Sequence, residues 1–279
     1  MLLRAALLIC GATLARTSLV RLEHTSFEGQ WALDEPVYSV DDAPEGKADA
    51  YVHLEVTLKR SSKVAGGRVE ALVFDGVSKP FIGIQPEGGG PTLLCCDSLA
   101  QKRGHCGVAQ LDEVVRGEQY TGAGGVHVTA RWAGDSLSLK LNPPKWNVTR
   151  RGLYTVLLAV CDQRAVGVVT MDGLLEFKSP YGYVPGHLYG YLPFWSGLVI
   201  AYALAALLWF VLMSLHWRDI LTLQMCITGL LFCGMIEALF YDFIFASFNE
   251  SGVAPSISLS ICAAIINTLK RCALAVCCC

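Results

Sequence analysis

Two hydrophobic patterns divide the chain. The N-terminal part alternates apolar and polar positions in short runs; the C-terminal part is apolar over long unbroken runs. Tyr51-Val52-His53-Leu54-Glu55-Val56-Thr57-Leu58 has a period close to two and is rich in β-branched and aromatic residues, which predicts a strand. Arg68 to Phe74, Val126 to Trp132 and Ser136 to Leu141 read the same way. The last two are separated by Ala133-Gly134-Asp135, so a hairpin is expected there. Gly152 to Cys161 and Ala165 to Phe177 are expected to form another pair across Asp162-Gln163-Arg164. Short strands with turn signals between them predict an all-β sandwich over residues 16–185. Pro80, Pro86 and Gly88-Gly89-Gly90 make the stretch from Lys79 to Gly90 a loop.

The long apolar runs predict α-helical transmembrane segments. Trp195 to Leu215 carries no charge, and about 20 residues cross the hydrocarbon core, so 195–215 is the first span. His216-Trp217-Arg218-Asp219 is a polar turn, 220–245 the second span, and Asn249 to Ala254 a second polar loop. A third apolar segment, 255–279, contains Asn267, Lys270 and Arg271. Pro255 to Thr268 is shorter than the ~20 residues a crossing needs. The expectation is therefore a helix that runs on to Cys279 and is an incomplete span, with Lys270 and Arg271 at membrane depth. Cys272 and the terminal Cys277-Cys278-Cys279 are read as part of that interrupted span, palmitoylation being the alternative.

The first residues, 1–15, fit a signal peptide: Arg4, then the short apolar run Ala5 to Gly11, then small residues at Thr13 and Ala15. A signal peptide places the sandwich in an oxidising lumen, Arg218 in the cytosol, and Asp242 and Glu250 near the luminal face. The sandwich carries Cys95, Cys96, Cys106 and Cys161. Disulfide geometry disfavours bonding between chain neighbours, so Cys95 and Cys96 are expected to bond elsewhere, with the pairing left open. A zinc site using His105 and Cys106 is the alternative; its spacing fits no standard finger. Asn147-Val148-Thr149 is a glycosylation sequon preceded by Pro143-Pro144, and Asn147 is expected to be used. The sequon at Asn249 lies close to the membrane and is expected to be unused.

Charge narrows the function classes. The formal net charge is −2 and no basic stripe occurs, which argues against a nucleic-acid partner. Gly122-Ala123-Gly124-Gly125 lacks a Walker lysine and reads as a turn. The histidines are scattered and form no catalytic constellation, so neither an enzyme nor a cofactor is expected. Glu237 is the most informative residue. A lone charge at mid-membrane costs ~2.5–3.5 kcal/mol even on the insertion scale, so it needs a partner. Lys270 and Arg271 are the candidates, and a Glu237–Lys270 pair lining an internal cavity is one reading. A neutral Glu237 hydrogen-bonded between helices is the other.

Pro180-Tyr181-Gly182-Tyr183-Val184-Pro185-Gly186-His187-Leu188-Tyr189-Gly190-Tyr191-Leu192-Pro193-Phe194 resembles the junction of the lung seven-transmembrane receptor family. His216-Trp217-Arg218-Asp219-Ile220-Leu221, the Gly234 to Tyr241 segment and Leu269-Lys270-Arg271 resemble further motifs of that family, in order. Cys95-Cys96 and the Gly152 to Cys161 strand do as well. The resemblance implies a GOLD-like luminal sandwich, a linker at 186–194, and about three of an expected seven spans. It also implies a multi-pass Golgi membrane protein that acts in vesicle-mediated transport, notably endosome-to-Golgi retrieval. Membrane lipids and a luminal protein cargo or trafficking partner are the expected partners. An orphan G-protein-coupled-type receptor and an ion- or lipid-conducting bundle are the alternatives.

Overall fold

The computed structural model describes residues 18–39, 49–61, 67–84, 92–107, 111–117, 125–162, 167–216, 222–253 and 257–277. The signal-peptide segment, the glycine turn at 122–124 and most of the turn after the first span lie outside the described residues. One compact unit comprises Ser18–Tyr181, and a second includes Gly182–Cys279.

The first unit is a two-sheet antiparallel sandwich. Its strands are β1 (Leu19–Phe27), β2 (Gln30–Val37), β3 (Tyr51–Arg60), β4 (Arg68–Asp75), β5 (Gly125–Arg131), β6 (Ser138–Leu141), β7 (Trp146–Asn147), β8 (Gly152–Ala159) and β9 (Val169–Lys178). One sheet has the order β1-β9-β3-β6, with β7 also on β3; the other has the order β2-β8-β4-β5. Val52, Leu54, Val56 and Leu58 of β3 point into the core, where they meet Val69, Ala71 and Val73 of β4 and Tyr154, Val156 and Leu158 of β8. The predicted alternation of β3 is thus the pleat of a strand with one face buried.

Neither predicted hairpin forms. β5 lies beside β4 in one sheet, and β6 lies beside β3 in the other. Ala133-Gly134-Asp135 therefore carries the chain from sheet to sheet. β8 and β9 likewise belong to different sheets, each lying between two other strands. A short turn between two alternating runs is compatible with either arrangement. The choice falls to the sandwich because both runs bury apolar faces against the opposite sheet.

Arg60 holds the first of these crossovers. It is 3% exposed, donates from Nε to the Ser136 carbonyl (2.9 Å) and from Nη2 to the Gly134 carbonyl (2.9 Å), and its guanidinium stands over Trp132. Midway along the β3–β9 ladder, Gly173 of β9 lies against Val56 of β3. A Cβ there would fall 2.6 Å from the Val56 Cα, so only glycine fits.

β4 and β8 are buried on both faces, because a cap covers the outside of their sheet. Leu72, Phe74, Leu157 and Ala159 pack outward against Ile82 and Val114. The cap is irregular, made from residues 79–84, 92–107 and 111–117, joined by the bridges Ile82↔Arg116, Ile84↔Leu93 and Cys95↔Val114. It includes the short helix α1 (Ser98–Lys102), whose first amides are capped by the Asp97 carboxylate.

The second unit is helical: α2 (Tyr191–Leu215), α3 (Thr222–Ser251) and α4 (Ile257–Cys277). The stretches Gly186–Leu215 and Gln224–Ser251 are long and apolar enough to cross a membrane. The polar loop expected from Asn249 is instead the last turn of α3. Asn249 holds the chain that enters α2: its carbonyl accepts from the Tyr183 amide (3.0 Å) and its Oδ1 from the Val184 amide (3.3 Å). Gly182 packs on Asn249 with φ of +134°, a conformation and a contact that a side chain would forbid.

Two predictions follow from these contacts. Arg60→Met removes the charged donor of the Ser136 and Gly134 carbonyls, and a hydrogen bond to a charged group contributes ~1.5–3 kcal/mol; chemical denaturation of the full chain in detergent should show the sandwich transition shifted to lower denaturant. Asp172 on β9 accepts the backbone N–H of His24 (2.8 Å) and lies 3.3 Å from Lys59 Nζ. The His24 hydrogen bond, helped by Lys59, holds its carboxyl below the usual carboxylate range. A depressed acid stabilises the fold above its unfolded value and loses that contribution as pH falls through the folded value. The stability gap between the wild type and Asp172→Asn should therefore be full at neutral pH and shrink below about pH 4.

Candidate functional site

The helical unit is ordered by an antiparallel seam between α2 and α3. Tyr191 stacks on Phe245 and Trp195 on Tyr241 (centroids 5.4 and 4.4 Å apart). Ser196 donates to the Asp242 carboxylate, and at the opposite end Trp209 Nε1 donates to Thr228 Oγ1 (2.9 Å). Aromatic stacking and paired polar groups fix this register where apolar side chains alone would allow sliding.

Between these ends lies a cluster of polar side chains. Glu237 of α3 is 6% exposed. Its Oε2 is 2.9 Å from Lys270 Nζ of α4, and its Oε1 accepts from Asn267 Nδ2. Lys270 also donates to Tyr202 Oη of α2 (3.3 Å). Lys270 of α4 therefore links α2 to α3. Asn267 and Lys270 are three residues apart and share a face of α4, as Gly234 and Glu237 do on α3. Gly234 makes room for the tyrosine: a Cβ there would fall 2.7 Å from the Tyr202 ring. Arg271, the next residue of α4, is exposed.

The arrangement meets the needs of a carboxylate withdrawn from water. An ammonium balances its charge, and an amide and a phenol complete the hydrogen bonding. The cluster can hold a fixed charge pair between helices, or exchange that pair for a cation or a polar headgroup. Glu237 and Lys270 were legible from their charge in apolar runs. Tyr202 and Gly234 were not, because an aromatic and a glycine are ordinary in apolar helices; the Gly234–Glu237 spacing was the available signal.

The remaining candidates lie in the sandwich unit. Cys95 bonds Cys161, tying the cap to the chain just after β8, and Cys96 bonds Cys106, closing a short loop around α1. With all four sulfurs in disulfides, none is left as a thiolate for zinc at His105. Asn147 is exposed and lies on the two-residue strand β7 rather than in an open loop.

The fold and the cluster together define a multi-pass membrane protein that joins a β-sandwich to an antiparallel helical segment with a paired intramembrane carboxylate. The comparisons add a family. Residues 191–278 match the family described as GOST, seven transmembrane domain. The chain is 32% identical over 97 residues to transmembrane protein 87A of Xenopus tropicalis, and 27% identical over 121 residues to transmembrane protein 87B of Mus musculus. The matched stretches are 35% and 43% of this chain, and they cover 18% and 21% of those relatives' lengths. These likenesses support the lung seven-transmembrane receptor family that the junction motifs suggested.

The ion pair makes a direct prediction. Glu237→Lys or Lys270→Glu alone leaves two like charges in apolar surroundings, and breaking a buried pair costs ~3–5 kcal/mol. Each single variant should lose folded protein in detergent chromatography, and the double reversal should restore much of it. Absence of any rescue would show that the two groups do not act as a pair.

Proposed function

We propose that this chain is a multi-pass Golgi membrane protein acting in membrane trafficking, in endosome-to-Golgi retrieval, with its sandwich in the lumen binding a protein cargo or trafficking partner. The observation that carries this reading is the sandwich itself, a separate unit braced by two disulfides and joined to helices that match the GOST seven-transmembrane family. Disulfides fit an oxidising compartment. Leu93 and Leu99 of the cap are about half exposed and offer apolar contact area to a partner. The exposed apolar residues of α2, Ile200, Leu204, Leu207 and Leu208 among them, suit contact with membrane lipids. On this reading the protein catalyses no reaction of its own and needs no cofactor.

A second reading has one observation in its favour. The Glu237–Lys270–Tyr202 cluster joins three helices at membrane depth, which suits an ion- or lipid-conducting bundle. The two readings separate by experiment. Proximity labelling from the sandwich should mark sorting receptors and their cargo, and depletion of the protein should lengthen the return time of a recycling receptor to the Golgi. Unchanged return kinetics, together with a conductance in the reconstituted protein that Glu237→Gln abolishes, would overturn the trafficking reading in favour of conduction.

A further inference from the structure

A second polar cluster lies under the cap of the sandwich. Glu70 of β4 is 1% exposed and points outward between Leu72 and Phe74's side of the sheet and the cap. Its Oε2 lies 2.9 Å from Nε2 of His127 on β5 and accepts the Val114 amide of the cap (3.3 Å). The other nitrogen of the same imidazole, Nδ1, lies 3.1 Å from Arg116 Nη1, again from the cap. Arg116 Nη2 is 3.5 Å from Glu113, which Arg68 of β4 also binds at 2.9 Å. Arg68 stands 3.5 Å from Glu70 and donates to the Asp112 and Leu111 carbonyls. Thr129 Oγ1 is 3.4 Å from His127 Nε2. His127 is thus touched by Thr129 from its own strand, Glu70 from β4 and Arg116 from the cap, with Glu113 and Arg68 binding those partners.

The donor chemistry fixes the state of the imidazole. A guanidinium can only donate, so Nδ1 must present its lone pair to Arg116. The ring proton is then on Nε2 and is donated to Glu70. Neutral His127 thus links a buried carboxylate of the sheet to an arginine of the cap. A second proton, taken from solvent at Nδ1, removes the acceptor that Arg116 uses and sets two cations side by side. Glu70 cannot leave, because it is buried and gains from the imidazolium. The Arg116 side chain is 28% exposed and can exchange its partner for water.

We propose that His127 is a pH-sensitive latch between the sandwich and the 111–117 segment of its cap: neutral, it holds Arg116; protonated, it keeps Glu70 and releases Arg116. Histidine as a residue type is the side chain suited to a charge switch near neutral pH. The effect is local. The backbone hydrogen bonds of the segment, Val115 to Leu94 (2.8 Å) and Gly117 to Phe81 (2.8 Å), open more often once this anchor on the sheet is gone. What changes is the grip of residues 114–117 on the sheet.

Hydrogen–deuterium exchange on the full chain in lipid nanodiscs tests this. Between about pH 7.4 and about pH 5.8, after correction for intrinsic exchange, protection of a peptide covering 114–117 should fall roughly threefold or more, while peptides from β3 and β9 keep theirs. His127→Gln keeps a donor and an acceptor but cannot charge, and should lose the pH dependence. Equal protection of 114–117 in the wild type at both pH values overturns the latch, as does a fall that persists in His127→Gln. An independent readout uses Arg116→Gln and the histidine C2–H resonance of selectively labelled protein. Removing the cation that opposes protonation should move the His127 midpoint to higher pH, and an unmoved midpoint overturns the proposal.

Discussion

Lys270 and Glu237 face each other at 2.9 Å across α3 and α4, and the geometry of the helical unit follows from that contact. A carboxylate in apolar surroundings is tolerated only with its charge balanced and its lone pairs occupied. One ammonium cannot do both. Asn267 supplies a second donor from the same face of α4, and Tyr202 of α2 steadies the ammonium. Gly234 is small because Tyr202 must pass over it to reach the cluster. The aromatic stacks at Tyr191 and Trp195 then fix how far along α3 that crossing occurs.

The sandwich obeys the same rule in another medium. Arg60 is buried where the chain leaves one sheet for the other, and its own donors are satisfied by two carbonyls of the crossover. Glu70 is buried where the cap meets the sheet, and it takes its hydrogen bonds from both sides of that contact. In each case a buried polar side chain joins a regular strand to an irregular segment packed on it. The disulfides act at the same places by covalent means. Cys95–Cys161 joins the cap to the chain beyond β8, and Cys96–Cys106 holds the short helix α1 within it.

Much of this was legible in the sequence, and the reasons are specific. The period-two run of β3 marks a strand with one buried face, and the uncharged run before His216 marks a helix suited to lipid. Glu237 and Lys270 stand out because a charge is rare in such surroundings. The hairpins were misread because pattern and turn length describe a strand and its end, not its neighbour. β5 and β6 have a short turn between them and still pair with β4 and β3. The near-continuous burial of β4 and β8 depends on a cap contributed by residues 79–84, 92–107 and 111–117, which local pattern cannot register.

The sequence left β1, β2, β7 and α1 unread, but by itself it determined the division into an alternating β part and an apolar helical part, the long helices and the strands from β3 onward except β7, and the need of Glu237 for a partner. These are local matters of period, length and desolvation, and each is decided by residues a few positions apart. Only the tertiary structure decided which strands share a sheet, how the four cysteines pair, that Asn249 closes the entry to α2, and that His127 stands between Glu70 and Arg116. Those contacts join residues far apart in the chain. They are selected by how whole faces pack and by which buried polar groups can be satisfied together.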